Sequence, residues 1–184
     1  MNKKTVLTLI TIVFILSFFV TPMGHWGKIW LMKTFTASPD IIEVSKREKL
    51  PDYNWKLKDP DWNFFSFNEA KGKVAFVKFW ASWNIQSTSE LDDIQKLYDS
   101  YGDKINFYII TDEERQPVET FMKENKYTFK LTYLIIGEQA PFEVLEAPGG
   151  YIIDKKGHIV VEEKSNADWS NATIHTLLNN LISE

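Results

Sequence analysis

A strongly apolar stretch that leads at once into a helix-forming stretch is the feature that most limits how this chain can fold. Lys73 to Trp80 is rich in valine and phenylalanine and is bounded by Gly72, a pattern typical of a strand buried on both faces. Ser87 to Tyr101 then repeats apolar residues at helical spacing, so that they share one face. A buried strand followed by an amphipathic helix indicates the α/β class.

The same alternation continues along the chain. Further strands are predicted at Ile105 to Thr111 and Leu131 to Ile136, and further helices from Pro117 to about Lys126 and from Asn171 to Ile182. Hairpins are predicted from Tyr53–Leu57 with Phe64–Phe67, and from Gly150–Asp154 with His158–Glu162. This order predicts a mixed sheet of about five strands flanked by helices, with a parallel centre, antiparallel edges and an extra N-terminal hairpin.

The N-terminus carries a basic start and a long uncharged run. Lys3 and Lys4 precede Thr5 to Val20, and extension to Met23 gives about 19 uncharged residues, near the ~20 that cross a bilayer core. Lysines before such a run favour a cytoplasmic N-terminus and an exported body. We therefore predict a transmembrane helix over residues 1–23. The alternatives are a cleaved signal peptide, for which no small-residue cleavage site follows, and a buried soluble helix.

Residues 24–49 connect this segment to the rest. Trp26 and Trp30 are interleaved with Lys28 and Lys33, a combination that suits the lipid headgroup layer. An interfacial helix followed by a polar linker is predicted here, and a helix packed on the domain is the alternative. The globular domain is expected to span residues 50–184.

Composition excludes several classes of function. The chain has 21 basic and 25 acidic residues and a net charge of −4, so it has no broad basic surface for nucleic acid. It has no cysteine, and therefore no disulfide, no thiolate and no cysteine metal site. Its histidines, His25, His158 and His175, fall in elements away from Ser87. A Ser-His-Asp site or a histidine metal site is thus not expected, and no cofactor is indicated.

Three features together resemble one superfamily. Phe79-Trp80-Ala81-Ser82-Trp83 ends the central strand, Ala147-Pro148 precedes the last hairpin, and that hairpin runs from Tyr151 to Val160. With the element order, they resemble the thioredoxin-like superfamily, and more closely the membrane-anchored TlpA/ResA-type redoxin-like proteins of bacteria. The resemblance covers residues 50–184. It implies a thioredoxin-like fold and a domain outside the cytoplasmic membrane, in the bacterial periplasm.

The resemblance also locates a site. Its members follow Trp83 with Cys-x-x-Cys, and here Asn84 and Ser87 occupy the sulfur positions. It implies a cis bond between Ala147 and Pro148, beside which backbone pairs with an extended substrate. The predicted binding groove consists of Trp83, Asn84, Ile85, Gln86, Ser87, Ala147 and Pro148. None of these is assigned a catalytic role.

The polar residues of this turn have an ordinary structural interpretation. Asn84 and Ser87 are both residue types that satisfy free backbone amides at a helix start. Ser87 to Glu90 also matches a capping box, in which a hydroxyl and a carboxylate satisfy those amides reciprocally. Lys78 stands where some thioredoxins place a buried acid, and it is expected to pair with an acidic residue or to reach solvent.

These observations lead to one main hypothesis of function. We expect a membrane-tethered, redox-inactive domain that binds an extended peptide or a partner protein in the extracytoplasmic space. The alternative is an accessory subunit of a thiol-disulfide oxidoreductase system that positions substrates without thiols of its own. A third interpretation is a structural paralogue without a defined ligand.

Overall fold

The structure is a computed structural model that describes residues 2–21, 24, 27–29 and 36–184. The chain divides into two compact units, Met1–Phe35 and Thr36–Glu184. Most of the predicted interfacial helix, including Trp26 and Trp30, lies outside the described residues.

The smaller unit contains helix α1, Lys3–Val20. None of the helices in the described ranges is both long enough and apolar enough to cross a membrane. The transmembrane helix predicted over residues 1–23 is therefore not found in the part of the chain that the structure describes, where α1 has 18 residues and begins with two lysines.

The larger unit is built on one sheet. Its strands are β1 (Lys56–Lys58), β2 (Phe64–Ser66), β3 (Ala75–Phe79), β4 (Asn106–Thr111), β5 (Leu131–Tyr133), β6 (Gly150–Ile153) and β7 (Ile159–Glu163). Its helices are α2 (Ile85–Tyr101), α3 (Arg115–Asn125) and α4 (Ala172–Ser183). Strand β4 runs parallel to β3 and β5, and the other pairs are antiparallel. The predicted parallel centre with antiparallel edges is confirmed.

The prediction of about five strands is wrong, because the sheet has seven in the order β2-β1-β5-β4-β3-β6-β7. The N-terminal hairpin does not stand apart. Strand β1 pairs with β5 through Lys58 and Tyr133, so the hairpin extends the same sheet at its edge.

Both faces of the sheet are covered. Strand β3 is buried along its whole length. Phe76 and Trp80 belong to the core that contains the buried faces of α2, α3 and α4, whereas Val77 and Phe79 belong to a second core with Trp55. Alternation of side chains across a central strand thus supplies two cores at once.

The polar segment before residue 50 follows the opposite edge of the sheet. Ile41 bridges to Val161 and Lys49 bridges to His158. The N–H of Ile42 donates to the carbonyl of Val160 at 2.8 Å. The stretch predicted as a linker is therefore hydrogen-bonded to β7 over part of its length.

Candidate functional site

Asn84 begins helix α2. Its Oδ1 accepts hydrogen bonds from the N–H groups of Gln86 at 2.9 Å and Ser87 at 3.2 Å. The predicted capping role of Asn84 is confirmed. The predicted capping box from Ser87 to Glu90 is wrong, because the helix already starts at Ile85 and both of those side chains are buried within it.

The same side chain joins the turn to the loop before β6. Asn84 Nδ2 donates to the carbonyl of Ala147 at 3.0 Å. The Ala147–Pro148 peptide bond is cis. The N–H of Phe79, at the end of β3, donates to the carbonyl of Gly149 at 2.8 Å. Residues distant in sequence, Asn84 and Ala147, thereby become neighbours.

Gly149 is required by close approach. A Cβ atom built at this position would lie 2.4 Å from Leu145 Cβ and 2.9 Å from the carbonyl oxygen of Glu146. Only glycine permits the loop to fold this tightly beside Pro148.

A carboxylate holds the turn from the other side. Glu113 accepts from the N–H of Ser82 at 2.6 Å and from its hydroxyl at 2.7 Å. Glu113 follows β4, so the turn after β3 is tied to the neighbouring parallel strand. Trp83 lies between these two attachments and is 76% exposed.

Ser87 is fully buried, and its hydroxyl has no hydrogen-bond partner among the described residues. His158 Nδ1 lies 3.0 Å from Asp154 in the β6–β7 turn, and His175 Nδ1 lies 3.0 Å from the Tyr101 hydroxyl. Neither imidazole is a base for Ser87. The site thus has no described group that would convert this hydroxyl into a nucleophile.

Lys78 is buried behind the turn. Its ammonium lies 2.6 Å from Glu90 Oε2 and donates to the carbonyl of Pro148. Burial lowers the pKa of Lys78 and raises the pKa of Glu90, while their mutual attraction opposes both shifts. Glu90 Oε1 also accepts from the N–H of Ala167 and from Trp169 Nε1. The expected acidic partner of Lys78 is therefore Glu90, and this ion pair connects β3, α2 and the Pro148 loop.

A groove of about 490 Å³ opens beside the turn. Of the predicted groove residues, Trp83, Asn84 and Ala147 line it, whereas Ile85, Gln86, Ser87 and Pro148 do not. The other lining residues are Phe79, Trp80, Ala81, Ile110, Thr111, Asp112, Leu134, Val144, Leu145 and Glu146. Its walls are thus largely apolar.

Sequence reasoning missed the residues that follow β4 and β5. Asp112 and Leu134 each come directly after a parallel strand. The carboxyl ends of parallel strands meet at one edge of a sheet, which is where ligands bind in open α/β folds. That rule was the available signal. No comparable signal marked Val144 or Glu146, which lie in an irregular loop.

A second cavity of about 420 Å³ lies at the opposite strand ends, lined by Asn106, Lys130 and Leu131 among others. None of the predicted groove residues lines it. Within the described ranges, no group of three or more histidine, aspartate or glutamate residues is arranged to hold a metal ion.

The sequence of the chain is similar to those of known proteins. Among models of protein families, that of the AhpC/TSA family matches residues 47–162. The chain is 27% identical over 128 residues to the thioredoxin-like protein YneN of Bacillus subtilis, covering 67% of this chain and 74% of that protein. It is 25% identical over 167 residues to the thiol-disulfide oxidoreductase ResA of Bacillus cereus, covering 89% and 90% respectively.

Solved structures are similar as well. A secreted thiol-disulfide isomerase from Corynebacterium glutamicum superposes with a TM-score of 0.61 at 17% identity, covering 79% of this chain and 92% of that one. A DsbF homologue from Corynebacterium diphtheriae gives a TM-score of 0.60 at 16% identity, covering 80% and 93%. At these identities the likeness establishes the fold, which is the thioredoxin-like α/β fold.

Proposed function

The chain belongs to the AhpC/TSA family of thioredoxin-like redoxins, and we propose that its domain uses this fold to bind an extended peptide or an extended segment of a partner protein. It does so without exchanging disulfides, because thiolate attack needs a sulfur atom and the chain has no cysteine.

One observation carries this proposal: an open groove lies beside the turn, although Asn84 and Ser87 stand where relatives have their two cysteines. Trp83 stands 76% exposed at its edge, and Leu134, Val144 and Leu145 contribute apolar surface. An exposed tryptophan beside an apolar groove is typical of residues that dominate binding energy in protein interfaces.

The backbone beside Pro148 is compatible with an extended ligand. Asn84 Nδ2 already donates to the carbonyl of Ala147. A carbonyl oxygen has two lone pairs, so it can accept a second hydrogen bond from a bound chain.

Substitution of Trp83 tests the proposal. We expect Trp83→Ala to weaken binding of extended peptides to the full-length chain about tenfold or more, the size typical of a central interface tryptophan. Binding is measured by fluorescence anisotropy of labelled seven-residue peptides.

Trp62→Ala is the matched control, because it removes the same side chain from a site that is 45% exposed and does not line the groove. Its affinity should stay within about twofold of the unmodified chain. Equal losses in both variants, or peptide binding that neither variant weakens, would count against a peptide-binding groove.

A second candidate function rests on the relatives. ResA of Bacillus cereus is named a thiol-disulfide oxidoreductase, and a cysteine-free member of the same family is suited to position substrates for such an enzyme. On this alternative, deleting the chain slows disulfide exchange in cells, and restoring it with Trp83→Ala does not recover the rate. A purified chain that binds peptides but leaves cellular disulfide exchange unchanged when deleted favours the first function.

We also propose that the domain works outside the cytoplasm. The support is the basic start, Lys3 and Lys4, followed by the uncharged run from Thr5 to Val20. Protease is added to cells whose layers outside the cytoplasmic membrane are permeabilised while that membrane stays intact. It should then degrade the domain while a cytoplasmic marker survives. Protection of both would place the domain inside.

A further inference from the structure

We propose that the groove selects extended segments in which an apolar residue is flanked by lysine or arginine. This inference rests on the proposed function and names the class of segment that the site accepts.

The charges of the groove are all of one sign. Asp112, directly after β4, and Glu146, directly before Ala147, both line it. No lysine, arginine or histidine is found among its lining residues in the described part of the chain. Apolar side chains line the same groove, including Leu134 and the 43% exposed Val144. A groove that offers apolar surface and carboxylates but no basic group complements an apolar residue with basic neighbours.

These two carboxylates are not used internally. Both residues are exposed, and no ion pair or side-chain hydrogen bond is found for either within the described residues. Acids close to them in sequence do have partners. Glu143 pairs with Lys164 at 3.0 Å, and Glu113 accepts from Ser82. Glu143 and Glu113 are thus engaged within the fold, whereas the carboxylates of Asp112 and Glu146 are open to a ligand.

The expected effect is modest and depends on salt. Exposed ion pairs typically change an equilibrium constant about two- to fivefold each. Surface charges are screened over ~10 Å at 0.1 M salt and over ~3 Å at 1 M. Loss of both groove carboxylates should therefore lower the affinity for a basic-flanked peptide about five- to twentyfold at low salt.

The test uses three synthetic peptides and the full-length chain. Each peptide has a capped Val-Phe-Val centre, flanked on both sides by serine and then by lysine, glutamine or glutamate. Anisotropy gives affinities for the unmodified chain, for Asp112→Asn/Glu146→Gln and for the control Asp103→Asn/Glu124→Gln. The control removes the same charge from exposed residues that do not line the groove.

The inference is supported if the unmodified chain prefers the lysine peptide over the glutamine and glutamate peptides. That preference should shrink in Asp112→Asn/Glu146→Gln, stay in the control variant and fade at 1 M salt. Equal binding of the three peptides, still weakened by Trp83→Ala, would overturn the inference and leave the proposed function standing. Absence of binding by all three would overturn both.

Discussion

At the scale of single residues, Ser87 shows how closely the turn is packed. Its side chain is fully buried in the first turn of α2, and its hydroxyl has no partner among the described residues. Ser89, two residues later, is also buried, but its hydroxyl donates to the carbonyl of Gln86 at 2.7 Å. Two serines of one helix therefore differ mainly in whether the hydroxyl is satisfied.

We expect Ser87→Ala to leave the free energy of unfolding unchanged or to raise it by about 1 kcal/mol, because it removes an unsatisfied polar group. Ser89→Ala should cost ~0.5–1 kcal/mol relative to Ser87→Ala, because it removes a made hydrogen bond. Both variants gain the same helix propensity, so urea denaturation isolates the hydroxyl. Equal effects would mean that the Ser87 hydroxyl has a partner in solution.

At the scale of elements, buried charge connects β3, α2 and the loop around Pro148. Lys78 is 0% exposed and Glu90 is 2% exposed. Removal of two charges from water is costly, and their attraction repays that cost only while both are present. The pair therefore fixes how these elements fit together more than it adds net stability.

A double-mutant cycle tests this role. Lys78→Met leaves Glu90 buried without its partner and should cost about 3–5 kcal/mol of unfolding free energy. Lys78→Met/Glu90→Gln should cost less than the sum of the single variants, with a coupling of roughly 2 kcal/mol or more. The control is the exposed pair Arg115–Glu119, at 2.5 Å, where coupling should be about 0.3–0.5 kcal/mol. Similar coupling at both sites would contradict a special role for the buried pair.

The hairpin of β6 and β7 depends on another carboxylate. Asp154 Oδ1 accepts from the N–H groups of Lys156 at 2.9 Å and His158 at 2.8 Å. Burial alone would raise the pKa of Asp154, but the hydrogen bonds from His158 and Lys156 outweigh it and lower the pKa. A carboxyl whose pKa is lower in the folded state stabilises the fold while ionised.

We expect Asp154→Ala to cost about 1.5–3 kcal/mol near neutral pH, the range for hydrogen bonds to a charged group. The contribution is fully present above the unfolded pKa of ~3.9 and is lost as pH falls through the lower folded pKa. The gap between unmodified chain and variant should therefore narrow below about pH 4. Asp154→Asn, which does not titrate, is the control. A gap that is constant down to pH 2 would refute the proposed linkage.

At the scale of the whole molecule, the groove lies where several distant segments meet. It takes residues from the end of β3, the start of α2, the ends of β4 and β5, and the loop before β6. The thioredoxin-like fold brings these together whether or not sulfur is present. The scaffold of a redox site and its chemistry are therefore separable in this chain.

Restoring the sulfur atoms tests that separation. In Asn84→Cys/Ser87→Cys, the first thiol would sit at the N-terminus of α2, where the helix dipole lowers a thiol pKa. We expect oxidised glutathione to convert the pair into a reversible intrachain disulfide. After this oxidation, neither thiol should react with a maleimide mass tag. Asn84→Cys alone cannot form this bond. Thiols that both stay reactive in the double variant would show that the turn holds them beyond disulfide distance.

Much of the fold could be predicted from local sequence. The apolar run before Trp80 indicated the central strand, and the period of Leu91, Ile94 and Leu97 indicated α2, because each pattern reports burial within one element. Boundaries were less accurate. Ser87 to Glu90 matched a capping box, yet Asn84 caps the helix with its own side chain, and Glu90 is instead buried against Lys78.

The sequence by itself determined the order of elements, the absence of thiol chemistry at Asn84 and Ser87, and the family to which the chain belongs. Only the tertiary structure decided that Lys78 pairs with Glu90, that Asn84 donates to Ala147, and that Glu146 and Asp112 line one groove. The reason is physical. Strand and helix patterns depend on near neighbours, whereas these contacts join distant segments that are selected by packing and by the cost of burying charge.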